Sequence, residues 1–174
     1  MPMMFAATTQ IGESFVGDGV DAAHVNTVLG RYGGAVETAW ATALATPRPG
    51  NAAFVAVLRP NLPVQPLTLF VNKATIAGDR HGELTWGAAQ AGVAAGVADA
   101  VADGVVPEAE ATELLLIAAV WVNPDASDAD AVFANNRRAI AEALANGAAR
   151  RPAVGDVLAH RDTPFNPYYR LPPA

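Results

Sequence analysis

Runs of apolar and alternating positions predict five β-strands. Two of them flank an Asp18-Gly19 turn and alternate apolar with polar residues, which is typical of a β-hairpin. The others are nearly continuous apolar runs of strand length, and the last of these is apolar enough to be the central strand of a sheet. The predicted strands are residues 10–16, 24–29, 52–58, 67–76 and 114–122.

Helical periodicity predicts four helices between and after these strands. They are expected at residues 35–45, 84–102, 107–113 and 125–146. Gly92 and Gly96 lie one turn apart in the second helix and permit close backbone approach, most simply to the sheet. Strands and helices alternate irregularly, which favours an α+β fold, a two-layer sandwich with helices on one face of the sheet.

The chain is predicted to form one domain followed by an extended C-terminal segment. Residues 1–149 contain all the predicted elements, whereas residues 150–174 carry five prolines and the aromatic residues Phe165, Tyr168 and Tyr169. Such a composition is typical of an extended segment that lies over its own domain or over a neighbour.

Charge and composition narrow the possible partners. The formal net charge is −6 and Lys and Arg do not cluster, so a nucleic-acid surface is not expected. The sequence has no cysteine and three well-separated histidines, so a metal site is not expected either. No apolar run reaches the length of a membrane span, and the chain is predicted to be cytoplasmic. A small molecule is the expected partner.

Few polar residues lie at positions that structure alone does not explain. His24 opens a strand beside a turn, and histidine is the side chain that changes charge near neutral pH. It is either a proton-transfer residue or an ordinary surface histidine, and Asn26 shares its strand face. Lys73 and Thr75 share a face of the strand 67–76, where the lysine either reaches an edge or meets a ligand.

The second helix and the turn before it add two more polar residues. Gln90 lies on the apolar face of the helix, where a buried amide needs partners and bonding to backbone is the simplest explanation. His81 lies in a turn at residues 78–82 between charged neighbours and is expected to be solvated. This set of side chains fits proton transfer to a small polar substrate or binding of a polar heterocycle.

Several motifs in consistent order resemble the formaldehyde-activating enzyme family. The resemblance covers about Gln10 to Gly147. The motifs are Gly12-Glu13 through Val16-Gly17-Asp18-Gly19 to His24, then Pro60-Asn61-Leu62-Pro63, Thr68 to Ile76, and Gly87 to Ala94.

This resemblance implies a fold similar to domain 2 of ribosomal protein S5 and a homopentamer with its ligand between subunits. It implies condensation of formaldehyde with tetrahydromethanopterin, or a related tetrahydropterin, to methylene-tetrahydropterin and water, a step of one-carbon metabolism and formaldehyde detoxification without a metal. His24 falls on the family's proton donor. The positions that fall on its pterin-binding residues are Asn26, Val55, Lys73, Thr75 and Gln90.

Three departures from the family pattern lie near the implied site. Asn26 replaces an aspartate, Ala91 replaces a histidine, and Arg31-Tyr32-Gly33 replaces a Pro-Arg-Gly after the second strand. The first two motivate an alternative, a non-catalytic oligomeric protein that binds or senses a pterin-like or aldehyde-derived molecule. A further alternative is a Schiff-base enzyme that uses Lys73.

Overall fold

A computed structural model describes residues 9–172 of the protein, which form seven strands and five α-helices. The strands are β1 (Gln10–Val16), β2 (Ala23–Arg31), β3 (Phe54–Val55), β4 (Val57–Arg59), β5 (Leu62–Pro63), β6 (Leu67–Asn72) and β7 (Leu114–Trp121). The helices are α1 (Ala35–Ala45), α2 (Asp79–Glu83), α3 (Gln90–Ala102), α4 (Ala129–Ala148) and α5 (Val154–Ala159). A wider helical turn at Leu84–Ala89 joins α2 to α3, and a 3₁₀ segment at Glu108–Glu113 precedes β7.

Five strands form one mixed sheet in the order β1-β2-β7-β6-β3. Only β6 and β7 pair in parallel, and the other neighbours are antiparallel. β7 is the central strand, as its apolar sequence predicts, and β4 pairs with β5 in a separate small hairpin. The protein is therefore an α+β fold, and the hairpin predicted around Asp18-Gly19 is confirmed.

The main core lies between one face of this sheet and the helices α3 and α4. Alternate residues of each strand point toward these helices, so Val25 and Phe70 are fully buried there with Ile140 of α4. Burying side chains of this size contributes about 1.5–3 kcal/mol each. Since α4 contributes Val132, Ile140 and Leu144 to this core, its predicted inward face is confirmed.

Helix α1 lies on the opposite face of the sheet. A Cβ on Gly12 would meet Ala143 of α4, and Gly12 pairs with Thr27 of β2. A Cβ on Gly30 would instead meet Val36 of α1. Thr27 and Gly30 lie three residues apart on β2, so they point to opposite faces of the sheet. Helix α4 therefore lies on one face and α1 on the other. The expectation that all helices share one face is thus wrong for α1.

Gly92 and Gly96 allow α3 to approach α4 closely. A Cβ on Gly96 would lie 2.2 Å from the carbonyl oxygen of Arg137, and one on Gly92 would lie 2.4 Å from that of Phe133. The predicted close approach is present, but the partner is a helix rather than the sheet. Next to it, Asp99 accepts hydrogen bonds of 2.6 and 2.8 Å from the Arg137 guanidinium, which lowers the pKa of Asp99.

Two predicted strands are shorter than their apolar runs. The run at 67–76 leaves the sheet after Asn72, whose side-chain amide donates 2.8 Å hydrogen bonds to the carbonyls of Gly50 and Ala74. The run at 52–58 divides at Ala56, so that β3 joins the main sheet and β4 the small hairpin. Thr75 therefore follows β6 rather than lying within it.

The predicted turn at residues 78–82 is the beginning of a helix, and the expectation of a solvated His81 is wrong. His81 is 3% exposed. Its Nε2 lies 3.0 Å from the carbonyl oxygen of Val122, and its Nδ1 accepts a hydrogen bond of 3.1 Å from the backbone N–H of Ala77. The histidine joins the start of the helix to the end of β7, and this role leaves it no contact with a ligand.

The segment after α4 is exposed along its described length and includes α5. Within residues 9–172, no helix combines the length and the apolar character needed to cross a membrane.

Candidate functional site

The sheet face opposite α3 and α4 brings together polar side chains from three strands. His24 and Asn26 lie two residues apart on β2 and point to this face. Glu13 of β1 pairs directly with Asn26. Lys73 follows β6, and its backbone N–H donates to the carbonyl of Val120 at 2.8 Å, which fixes the lysine beside the end of β7.

His24 is paired with a carboxylate. Its Nε2 lies 2.9 Å from Oε1 of Glu13, and the His24 side chain is 35% exposed, so solvent and small molecules reach it. The ring of Phe15, directly opposite on β1, lies 5.9 Å away between centroids and restricts the orientation of the imidazole. The contact places a hydrogen-bonding carboxylate on a side chain of the type that serves most often in proton transfer.

Lys73 lies beside this pair and is the single lysine of the 174-residue sequence. Its Nζ donates a hydrogen bond to Oδ1 of Asn26. Partial burial lowers the pKa of Lys73, and the negative charge of Glu13 opposes that effect. The predicted site residues His24, Asn26 and Lys73 therefore lie together: Glu13 contacts His24, and Asn26 accepts the hydrogen bond from Lys73.

A cleft of about 1010 Å³ opens over these residues. The volume exceeds what formaldehyde needs and is sufficient for a heterocycle with a side chain. Four parts of the chain line it: β1 and the turn after it, the ends of β2 and β7, the residue after β6, and the C-terminal segment. The residues are Glu13, Phe15, Gly17, Asp18, Gly19, His24, Lys73, Trp121, Asn123, Phe165, Asn166, Pro167, Tyr168 and Arg170.

Of the predicted site residues, His24 and Lys73 line this cleft; Asn26 contacts Lys73 without lining it, and the other three lie elsewhere. Oε1 of Gln90 accepts a 2.6 Å hydrogen bond from the backbone N–H of Val57, and its side chain is buried against the small hairpin. Thr75 accepts a hydrogen bond of 3.1 Å from the side chain of Asn51. Val55 pairs with Leu69 in the sheet. Within one chain, the predicted site residues therefore divide into two groups. His24, Asn26 and Lys73, here called the His24 group, lie at the cleft, and Val55, Thr75 and Gln90, here called the Gln90 group, lie outside it.

Sequence reasoning gave no role to Glu13, although the residue belongs to the first motif. The hairpin register contained the necessary signal: if Phe15 pairs with His24, then Glu13 lies on the same face one pair further along. The cleft residues of the C-terminal segment had no comparable signal, since nothing in their sequence indicates where the segment folds back.

Within residues 9–172, no three His, Asp or Glu side chains are grouped as metal ligands. What the described site offers is a histidine–carboxylate pair, an ammonium group and a surrounding wall of aromatic rings. This combination is of the kind that binds a small polar molecule and is chemically suited to proton transfer.

Comparison with known proteins identifies the family. The model of the formaldehyde-activating enzyme family matches residues 11–169, and the chain belongs to this family. A 5,6,7,8-tetrahydromethanopterin hydro-lyase of Methanosarcina barkeri is 41% identical over 160 residues, which cover 92% of this chain and 90% of the relative. The resemblance seen in the motifs is thereby confirmed.

Longer relatives contain the same region as a part of a larger chain. A bifunctional enzyme Fae/Hps of Archaeoglobus fulgidus is 36% identical over 159 residues, which are 91% of this chain but 40% of the relative. The bifunctional enzyme Fae/Hps of Methanosarcina barkeri is also 36% identical, over 86% of this chain and 38% of its own length. The chain thus corresponds to less than half of each bifunctional protein.

Proposed function

We propose that this protein is a hydro-lyase that condenses formaldehyde with tetrahydromethanopterin to give methylene-tetrahydromethanopterin and water, with His24 as the general acid. The observation that carries the proposal is the His24–Glu13 pair at 2.9 Å on the floor of the cleft, in a chain of this family. The similarity to a hydro-lyase along nearly the whole chain favours an enzyme over a protein that only binds or senses the ligand.

The reaction needs one proton at a defined place. A pterin amine adds to the formaldehyde carbon, and its proton passes to the carbonyl oxygen, which gives a carbinolamine. The carbinolamine hydroxyl then takes a proton from His24 and leaves as water, and the C–N bond becomes an iminium. A second pterin amine attacks the same carbon, and its proton returns to the imidazole. Two C–N bonds form and two N–H bonds break, so the histidine is regenerated; such acid catalysis contributes about 10²–10⁴-fold.

Glu13, Asn26 and Lys73 have distinct roles in this scheme. The Glu13 carboxylate orients the imidazole. Lys73 and Asn26, held together by their hydrogen bond, present a cation and an amide to polar groups of the pterin. Holding both amines beside formaldehyde contributes further, because the addition and the ring closure then occur within one bound complex.

The Gln90 group is assigned to the same function through a neighbouring subunit. Val55, Thr75 and Gln90 contact the pterin from one chain while His24 acts from the next, in a homopentamer. Exposed apolar side chains support two different contact faces: Leu58 and Leu62 lie on the hairpin held by Gln90, and Ile11 and Phe15 lie on the His24 face. In a ring of identical subunits, one face of each subunit contacts a different face of the next. Two separate apolar faces therefore fit a cyclic homopentamer.

Other parts of the proposal follow from family resemblance. They are a fold like that of ribosomal protein S5 domain 2, a cytoplasmic location, and a role in one-carbon metabolism and formaldehyde detoxification without a metal. The α+β class and the packing of α3 and α4 on one sheet face support the first of these.

The activity is tested by mixing the purified protein with formaldehyde and tetrahydromethanopterin and following methylene-pterin absorbance. We expect acceleration over the spontaneous reaction, and a loss of about 10²–10⁴-fold in kcat for His24→Ala. His160→Ala is the matched control, since His160 lies on the exposed C-terminal segment and does not line the cleft. A wild-type rate equal to the spontaneous rate, or full activity in His24→Ala, would exclude the proposed mechanism.

Assembly is tested by light scattering after size exclusion, with an expected mass of about five times the 17.9 kDa chain. Leu62→Asp places a charge on the exposed hairpin and should dissociate the oligomer together with its activity. A fully active monomer would contradict the shared site and leave the role of His24 intact.

A further inference from the structure

The C-terminal segment from Thr163 to Leu171, here called the arm, forms one wall of the cleft that contains His24 and Lys73. Phe165, Asn166, Pro167, Tyr168 and Arg170 all line the cleft, although the arm is far from those residues in sequence. One wall of the cleft is thus made by a segment that contributes nothing to the buried core.

The arm is attached to the cleft through an aromatic contact. The ring of Tyr168 meets that of Trp121 edge to face, with centroids 6.3 Å apart and an interplanar angle of 90°. Trp121 is the last residue of β7 and pairs with His24 across the sheet. Because an edge-to-face aromatic pair of this kind has a preferred geometry, the contact fixes the arm at the end of the site nearest His24.

Tyr168 is nevertheless exposed, at 78%. A large aromatic side chain held over a cleft by one ring contact leaves most of its surface free to pack against a planar ligand. Phe15 and Trp121 supply further aromatic surface in the same cleft. The combination is suited to a flat heterocycle such as a pterin.

Arg170 brings a positive charge to the same wall. Its guanidinium lies 6.0 Å from the centroid of the Phe165 ring, and among residues 9–172 no carboxylate lies within 4.0 Å of it. Arginine binds carboxylates and phosphates through paired hydrogen bonds. Lys73, the other cation of the cleft, already contacts Asn26, so Arg170 is the cation directed at a separate group.

We propose that the arm is part of the substrate-binding site, in which Tyr168 packs against the pterin ring and Arg170 binds an acidic group on the pterin side chain. These residues determine affinity for the pterin, not the rate of proton transfer from His24. The inference rests on the proposed function, and it extends that function to residues outside the core of the fold.

The test compares full-length wild type with Tyr168→Ala, Arg170→Ala and Arg170→Lys, by calorimetric titration with tetrahydromethanopterin and by steady-state kinetics. We expect Arg170→Ala to raise Kd and KM for the pterin about tenfold or more, with kcat and KM for formaldehyde within about twofold. Arg170→Lys should recover part of the affinity. Tyr168→Ala should weaken binding about tenfold.

Two matched controls lie on the same segment of chain. Tyr169→Ala removes the neighbouring tyrosine, which does not line the cleft. Arg161→Ala removes an arginine that pairs with Asp162 at 3.2 Å outside the cleft. Both should bind the pterin like wild type. A simpler tetrahydropterin without acidic groups should be sensitive to Tyr168→Ala and insensitive to Arg170→Ala.

The outcomes separate the two proposals. Equal pterin affinity in wild type, Tyr168→Ala and Arg170→Ala overturns the role of the arm and leaves a catalytically active wild type unaffected. Wild-type binding that depends on Arg170 without turnover supports the arm and overturns the proposed reaction. Absence of wild-type binding overturns both.

Discussion

Glu13 and His24 lie on adjacent antiparallel strands and meet at 2.9 Å, although eleven residues separate them in the chain. The contact is diagonal: Glu13 pairs with Asn26, and His24 pairs with Phe15. The Glu13 carboxylate therefore reaches the imidazole of the residue two positions before its own partner on β2. The same carboxylate acts on Lys73. One acidic residue thus contacts the histidine of the cleft and raises the pKa of its lysine.

Replacing Glu13 by Gln should slow the reaction and leave the fold unchanged. The amide still accepts a hydrogen bond from the imidazole, but this bond is weaker than one to a carboxylate. We expect kcat to fall about tenfold, the effect of losing a charge-assisted hydrogen bond. Steady-state kinetics and chemical denaturation measure this together, because a purely structural role would lower the free energy of unfolding as well as kcat. Glu37→Gln on α1 is the control, and a wild-type kcat in Glu13→Gln would contradict the role of the pair.

The pKa of Lys73 should respond in opposite directions to two substitutions. Burial holds this pKa below the ordinary value of a lysine, and the charge of Glu13 raises it in part. Glu13→Gln should therefore lower it further, whereas Asn26→Asp should raise it by placing a carboxylate at the hydrogen-bonding partner. Since the sequence contains one lysine, a sample labelled at lysine Cε gives one side-chain signal to titrate by NMR. A rise in Glu13→Gln would contradict the electrostatic assignment.

This pKa also fixes the sign of a pH effect on stability. Because the folded-state pKa of Lys73 lies below the unfolded value, the unfolded chain binds more protons between the two values. The contribution of Lys73 to the free energy of unfolding therefore increases with pH in that alkaline window. Denaturant titrations of wild type and Lys73→Met at pH 8 and at pH 10.5 measure this. Relative to Lys73→Met, the free energy of unfolding of the wild type should be higher at pH 10.5 than at pH 8.

Lys73→Arg distinguishes a binding lysine from a covalent one. Arginine keeps the positive charge and cannot form a Schiff base. We expect KM for the pterin to rise about tenfold while kcat stays within about tenfold, and Lys73→Met to lose more affinity. Loss of all activity in Lys73→Arg, together with borohydride trapping of formaldehyde on wild-type Lys73, would instead support the Schiff-base alternative.

Gly96→Ala should destabilise the protein by about 1–3 kcal/mol, the usual effect of overpacking. The added methyl would lie 2.2 Å from a backbone carbonyl of α4, which cannot move without displacing that helix. Gly87→Ala is the matched control, because a Cβ there has nothing within 4 Å. Chemical denaturation of both variants measures the difference. Equal stability of the two would show that α3 and α4 can separate at little cost.

Much of the secondary structure was predictable because it follows from local patterns. The β1–β2 hairpin, the central position of β7 and the inward face of α4 each depend on periodicity within a short stretch. The end of β6 could not be predicted from a local pattern. It depends on a hydrogen bond from the Asn72 side chain to the carbonyl of Gly50, which is 22 residues earlier. The burial of His81 likewise depends on Val122, a partner 41 residues away.

The same distinction between local and long-range signals applies to the candidate site. His24 and Asn26 could be placed on one face from strand alternation alone, but their meeting with Lys73 requires β6 to pair in parallel with β7 and β7 with β2. No local pattern contains that order. Family resemblance supplied the identity of these residues, and the sheet register supplies their geometry. The roles assigned to the six predicted residues, His24, Asn26, Val55, Lys73, Thr75 and Gln90, all stay predictions.

The single lysine has a consequence for a protein exposed to formaldehyde. Formaldehyde links proteins by condensing with side-chain amines and thiols, and this sequence has one lysine and no cysteine. Its only lysine amine donates a hydrogen bond to Asn26 and lines the cleft. Crosslinking of this chain through lysine side chains is thereby confined to one position, which a pterin bound as proposed would cover. The sequence therefore offers formaldehyde few of the side-chain amines and thiols through which it links proteins.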